Sequence, residues 1–240
     1  MSRAHSPLRP RWLHAAVFAA SLAAPSGCAS TPDVMVLDLG YRPTNQPDMG
    51  KLAGALPIPA TTAIWINPVL DQHPEGSRIG VSQEEDDAAV YFGPNGLPPA
   101  DFVRAALVQA LPAFGVPLHN DPNTATHVLE VRMSRFWAVE SNLYQTWITG
   151  TVLLADRAGN VLWQGEVTGF GKRWGRTFNA GNYLQGFSDS ALDFAQNLAI
   201  TPAFRQAAAG VAPEAAPAAP APEAAPAPAT PAGYTAPPAG

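Results

Sequence analysis

Residues 126–169 constrain the fold most strongly. The run THVLEVRMSRFWAVE at 126–140 alternates Leu129, Val131, Met133, Trp137 and Val139 with Glu130, Arg132, Ser134 and Glu140. A period of two predicts a strand with one buried and one wet face, the arrangement antiparallel sheets allow. YQTWITGTVLLADRAGNVLWQGEVTG at 144–169 reads as two more strands around a turn at 156–160, where Gly159 supplies the bend of a hairpin. Upstream, VMVLDL at 34–39 reads as a first or edge strand. TTAIWINPVL at 61–70 reads as a second strand that Pro68 terminates, and residues 71–89 read as loop.

Two helical patterns flank the long strands. In PPADFVRAALVQALPAFG, Phe102, Ala106, Leu107, Ala110, Leu111 and Phe114 share one face. Pro98 and Pro99 suit the entrance, Asp101 complements the dipole, Pro112 ends or kinks the helix near Leu111, and Gly115 suits the exit. In the run from Asn182 onward, Leu184, Phe187, Ala191, Phe194, Ala195 and Leu198 share a face, and Pro202 stops the pattern. The order β–β–α–β–β–β–α predicts an α+β two-layer domain over 34–205: a largely antiparallel sheet with two main helices packed on one face.

The ends differ in kind from this domain. Residues 1–14 carry Arg3, Arg9 and Arg11 and no acid. Residues 15–27 are uncharged and rich in Ala, Leu, Val and Phe, and Cys28, the single cysteine, follows. A basic segment, a short apolar run and small residues before a cut are the parts of a secretory signal. PSGC resembles the lipobox of bacterial lipoproteins, with Ser26 and Gly27 as the small residues and Pro25 where an aliphatic residue is usual. That resemblance implies cleavage after residue 27, lipidation of Cys28 and a tether at 28–33; Ala29 after the cysteine implies the outer membrane, facing the periplasm.

Loss of residues 1–27 leaves 11 basic against 19 acidic residues, a net charge near −8. Such a chain repels phosphate backbones and anionic headgroups, so nucleic acid is not an expected partner and membrane attachment falls to the acyl chains. The other end, 206–240, is rich in Pro and Ala and repeats PEAAP twice. Proline at this density removes donors and favours an extended polyproline II chain, so the segment is expected to be disordered. It reads as a solvating tail, a spacer or a peptide that docks; Tyr234 is its single aromatic.

The stretches AIWINPVLDQHPEGSRIG, VLLADRAGNVLWQGEVTG and NYLQGFSDSALDFAQNLAITPAF together resemble the YajG-like family of envelope lipoproteins. Asp71, Ile79 and Gly80 match its loop pattern, with His73 in place of the usual Arg. The resemblance spans roughly 61 to 204, implies an outer-membrane lipoprotein, and brings no catalytic residue with it.

No motif announces chemistry. His73, His119 and His127 show no metal-ligand spacing. Asp71 and His73 form the one pair that could polarise a group. The acidic run 84–87 lacks the oxygen pattern of a calcium loop, and GFSDS at 186–190 misses the last glycine of a nucleophile elbow. Gly169 and Gly171 read as positions where the last strand twists or bulges, and Lys172, Arg173 and Arg176 as a cationic patch for an anionic surface. Trp65, Trp137, Trp147 and Trp163 read as core, or, if exposed together, as a groove for lipid or glycan. The expected function is a non-catalytic, lipid-anchored interaction module of the envelope with a protein partner. No enzyme activity, cofactor or metal is expected. The alternative is a carrier of lipid or glycan on an aromatic sheet.

Overall fold

Three strands of 14 residues form the backbone of the computed structural model: β6 (His127–Glu140), β7 (Leu143–Asp156) and β8 (Val161–Trp174). The structure describes residues 34–175 and 177–211, all within one unit spanning 32–240. The signal, Cys28, the tether, Arg176 and nearly all of the Pro/Ala-rich tail lie outside the described residues. Both long pairings are antiparallel. Asp156 fastens the β7–β8 turn by accepting hydrogen bonds from the Asn160 backbone and side-chain amides, and Gly159 takes φ 87°. The hairpin is as the sequence predicts.

Short strands complete an eight-stranded sheet around this frame. They are β1 (Val34–Leu37), β2 (Ile64–Ile66), β3 (Leu70–Asp71), β4 (Arg78–Ser82) and β5 (Ala88–Phe92). The main path runs β1-β5-β4-β6-β7-β8, and β2 and β3 also pair with β6. Thus β2, β3 and β4 lie one after another along the same long strand, all parallel to it. Pro68 separates β2 from β3, since it has no N–H for a ladder. The segment expected as loop at 71–89 instead contains the end of β3, all of β4 and the start of β5. The acidic run 84–87 is the turn between β4 and β5, where Asp86 and Asp87 adopt positive φ of 47° and 61°. Aspartate tolerates that region better than most residues because its short side chain bonds locally.

The described α-helices lie on one face of the sheet. α1 (Pro99–Ala110) passes into a 3-10 turn at Leu111–Phe114 and ends at Gly115 with φ 72°. α2 (Ala180–Ile200) lies across β7 and β8, and α3 (Pro202–Ala208) follows at once. Pro202 therefore both stops α2 and opens α3, which the sequence reading did not separate. Phe136 from the sheet stacks on Phe187 of α2 with ring centres 4.3 Å apart, and Phe102 of α1 meets Phe136 edge-on at 5.8 Å. The α+β class with helices on one face is as predicted, and the antiparallel β6–β7–β8 ladder dominates the sheet.

α2 approaches β8 so closely that two positions exclude any side chain. A Cβ at Gly169 would stand 2.0 Å from the Ser190 carbonyl oxygen, and one at Gly171 would stand 2.2 Å from that of Gly186. These glycines serve helix packing; the register of β7 with β8 is continuous through them, so the bulge expected there is absent. α2 also protects the sheet edge. Asp193 accepts from the Phe170 amide at 3.0 Å and Asn197 donates to the Thr168 carbonyl at 2.9 Å, so this stretch of β8 is not free to pair with another strand.

Candidate binding surface

One irregularity decides which side chains the sheet shows to solvent. Between Met133 and Arg135 the register of β6 against β7 shifts. Before it, Leu129, Val131 and Met133 are buried; after it, Phe136, Ala138 and Glu140 are. A bulge inserts one residue and so exchanges the two faces of everything downstream. Trp137 and Val139, expected inside, therefore face out, and Glu140, expected outside, is fully buried.

The outward residues form a row. Trp137 sits opposite Trp147, and Trp147 opposite Phe170, so three aromatic side chains cross β6, β7 and β8 at one level. Trp147 and Phe170 lie with ring centres 5.5 Å apart. Further along, Trp174 pairs with Leu143. Phe170 is 40% exposed and Trp174 78%. Guanidinium groups stand over the indoles: Arg135 lies 4.6 Å from the Trp147 ring centre and Arg78 5.7 Å from that of Trp137. Such contacts hold a cation against an aromatic face with ~0.5–1 kcal/mol at exposed sites. A depression of about 370 Å³ bounded by Glu75, Ser134, Arg135 and Trp137 opens beside the row. A second, of about 350 Å³, lies toward the β7–β8 turn between Val128, Leu153, Ala155 and Val161. Among the described residues no helix covers this face.

The tryptophans expected as one group divide. Trp137 and Trp147 belong to the open row, whereas Trp163 packs inward against Phe204 at 5.5 Å. Trp65 is half-buried beneath Arg104, which reaches 5.4 Å from its ring centre. Trp174 was missed; its place in the alternation with Phe170 and Lys172 was the available signal. The cationic patch also divides. Lys172 is exposed on the open face, while Arg173 turns to the helix side, donating to Thr44, Gln185 and the carboxylate of Asp189.

Another cavity, of about 630 Å³, lies between the 38–44 segment, residues 95–96 and the start of α2. Beside it, Asp189 is 2% exposed and accepts from the amides of Thr44 and Asn45 at 2.8 and 3.0 Å and from the Thr44 hydroxyl at 2.8 Å. These bonds pin Thr44 and Asn45 to α2. Burial and the nearby Asp189 charge push the Tyr41 phenol up to about 12, so it stays protonated at neutral pH. In GFSDS, Ser188 donates to the Leu184 carbonyl at 2.8 Å and Ser190 to that of Phe187 at 3.0 Å. Both hydroxyls are structural.

The remaining candidates are equally engaged. His73 Nδ1 bonds Asp71, as the sequence pairing suggests, but the ring is 3% exposed and Nε2 is buried without a partner. His119 bonds Thr124 at 2.5 Å. His127 lies opposite Asp156; burial lowers its pKa and the Asp156 charge offsets part of that. Among the described residues no group of three His, Cys, Asp or Glu side chains is placed to hold a metal.

Buried Glu140 makes a small polar island. Its Oε2 accepts from the Tyr183 hydroxyl at 2.9 Å, while its Oε1 and the Ser82 hydroxyl lack partners. Burial, reinforced by the Glu140 carboxylate, raises the Tyr183 pKa well above the usual phenol value. Tyr144 meets Tyr183 edge-on at 4.8 Å and donates to the Thr177 carbonyl.

No protein-family model matches the chain, and no curated protein matches it. Solved structures resemble it distantly. A Xanthomonas campestris protein of family DUF330 is 12% identical with a TM-score of 0.44, over 69% of this chain and 92% of that one. PelC from Paraburkholderia phytofirmans, crystallised as a dodecamer, is 16% identical with a TM-score of 0.38, over 61% and 90%. A minor lipoprotein from Acinetobacter baumannii is 19% identical with a TM-score of 0.36, over 63% and 96%. At these scores nothing about the function of this chain follows from the likeness.

Proposed function

We propose that the chain is an envelope lipoprotein anchored through Cys28 to the periplasmic side of the outer membrane, as the YajG-like resemblance implies. It acts there as a non-catalytic interaction module. Its working surface is the open face of β6, β7 and β8. The observation that carries this reading is the row Trp137–Trp147–Phe170 with Arg78 and Arg135 stacked upon it. Half-buried tryptophans beside an exposed phenylalanine and arginine, on the outer face of a sheet whose other face is packed by helices, are the composition of binding hot spots. A row of this kind also suits the hydrophobic face of a glycan or an acyl chain, which keeps a carrier of lipid or glycan as the second reading.

Two measurements test it. Intact mass of the membrane-extracted protein, with and without Cys28→Ser, tests the anchor; an acylated species starting at residue 28 is expected, and a cleaved species without acyl groups counts against it. Cross-linking in intact envelopes, followed by recovery of the protein with or without Trp147→Ala/Trp174→Ala, tests the surface. A protein partner lost in the double variant supports the module. Co-recovered lipid or glycan lost instead supports the carrier, and recovery unchanged by the substitutions removes both.

A further inference from the structure

We propose that the occupant of the aromatic–arginine row is the chain's own Pro/Ala-rich segment, docked through residues 228–237; this rests on the open face being a binding surface. The first argument is spacing. In polyproline II every third residue returns to the same edge, ~9.3 Å further along. Pro228, Pro231, Tyr234 and Pro237 fall on one such edge. Trp137 and Phe170 stand on strands two apart in the sheet, ~9.6 Å at the usual strand separation. A segment crossing the strands at this level sets successive residues of its proline edge on Trp137 and Phe170, with Trp147 between them.

The second argument is chemistry. Polyproline II satisfies none of its own carbonyls, and proline rings pack on aromatic surfaces with little further loss of entropy. Arg78, Arg135 and Lys172 stand around the row as donors for those carbonyls. Residues 212–240 contain no Lys, Arg or His, and their only charged side chains are Glu214 and Glu223, so nothing in the segment repels these cations. Glu75 at the rim, and the acidic turn 84–87 beyond Ser82, oppose the approach of the two glutamates and leave the uncharged stretch 228–237 as the part that docks.

The third argument is reach. The chain leaves the described structure at Val211, after α3, which packs on the helix side of β7 and β8. The 17 residues from there to Pro228 span ~53 Å in polyproline II. A 14-residue strand is ~46 Å long, so the segment can pass round the sheet edge and reach the row.

The test uses the full chain with benzoylphenylalanine in place of Tyr234, irradiated and mapped by peptide mass spectrometry. Adducts on β6, β7 or β8 near Trp147 and Phe170 are expected within one chain, as read from a mixture of 15N-labelled and unlabelled protein. Their yield should fall about fivefold with Trp174→Ala or Arg135→Ser, both at exposed positions. Adducts between labelled and unlabelled chains overturn the proposal in favour of a second copy. Absence of adducts, or adducts on α1 or α3, overturns it outright. If the tail gives none while the same photoprobe at Phe170 captures another molecule, this inference fails and the binding surface stands; if neither position captures anything, both fail.

Discussion

The two sides of β8 obey opposite rules. On the helix side, Gly169 and Gly171 carry no side chain because the backbone of α2 occupies the space. On the other side, Lys172 and Trp174 stand in solvent, and Phe170, tilted against Trp147, is 40% exposed. One side has been emptied so that a helix can touch the strand, and the other filled as if something else should. Stability accounts for the first arrangement. It gives no reason for the second, since a tryptophan left 78% exposed contributes little to folding.

The contrast predicts unequal responses along a single strand. Gly171→Ala drives a methyl group into the Gly186 carbonyl and should cost about 3 kcal/mol or more, because backbone cannot yield as a side chain does. Urea denaturation reads it as a lower midpoint; a cost below about 1 kcal/mol would mean that α2 does not sit where described. Tyr183→Phe comes next. It removes the one donor to buried Glu140 and should cost about 2 kcal/mol at neutral pH.

That substitution also alters the alkaline response. The folded protein holds the Tyr183 proton more tightly than the unfolded chain does. The stabilisation it carries is therefore complete below the unfolded phenol pKa, near 10, and is lost as pH rises above it. Denaturation at pH 9 and pH 11 should show a shallower loss in Tyr183→Phe than in the unmodified protein; equal slopes would place the effect on Tyr41 and Tyr144, whose pKa values are also raised.

On the open side, Phe170→Ala and Trp174→Ala should each shift stability by only about 0.5 kcal/mol. A large loss from either would show that the row is buried in the folded protein and would erase the contrast. The smallest effect is at His127. Its folded pKa is lowered, so the unfolded chain takes up the proton first and stability falls as pH drops below about 6.5. His127→Gln should flatten the profile between pH 7 and pH 5, and an unchanged slope would assign the loss to other groups.

How far the fold was legible follows the same division. Leu129, Val131 and Met133, the apolar faces of both long helices, and the exit at Gly115 were readable because burial imposes a period on side chains. The β4–β5 hairpin was hidden by its four-acid turn, which reads as solvated loop. Gly169 and Gly171 were readable as special, yet only the position of α2 shows that contact, not curvature, requires them. The open row was the least legible part. It depends on one extra residue between Met133 and Arg135, and no propensity at Ser134 announces a change of face there.

The proposed binding surface is the open face of the sheet and not the helix side. Phe170 on β8 and Val108 on α1 are both 40% exposed, which makes them a matched pair. The most direct measurement places a photo-cross-linking residue at one or the other in the full chain, irradiated in intact bacterial cells. Adducts from position 170, whether to the chain's own tail or to another molecule, with none from position 108, are the predicted result. Silence at 170, or equal capture at both, would contradict it.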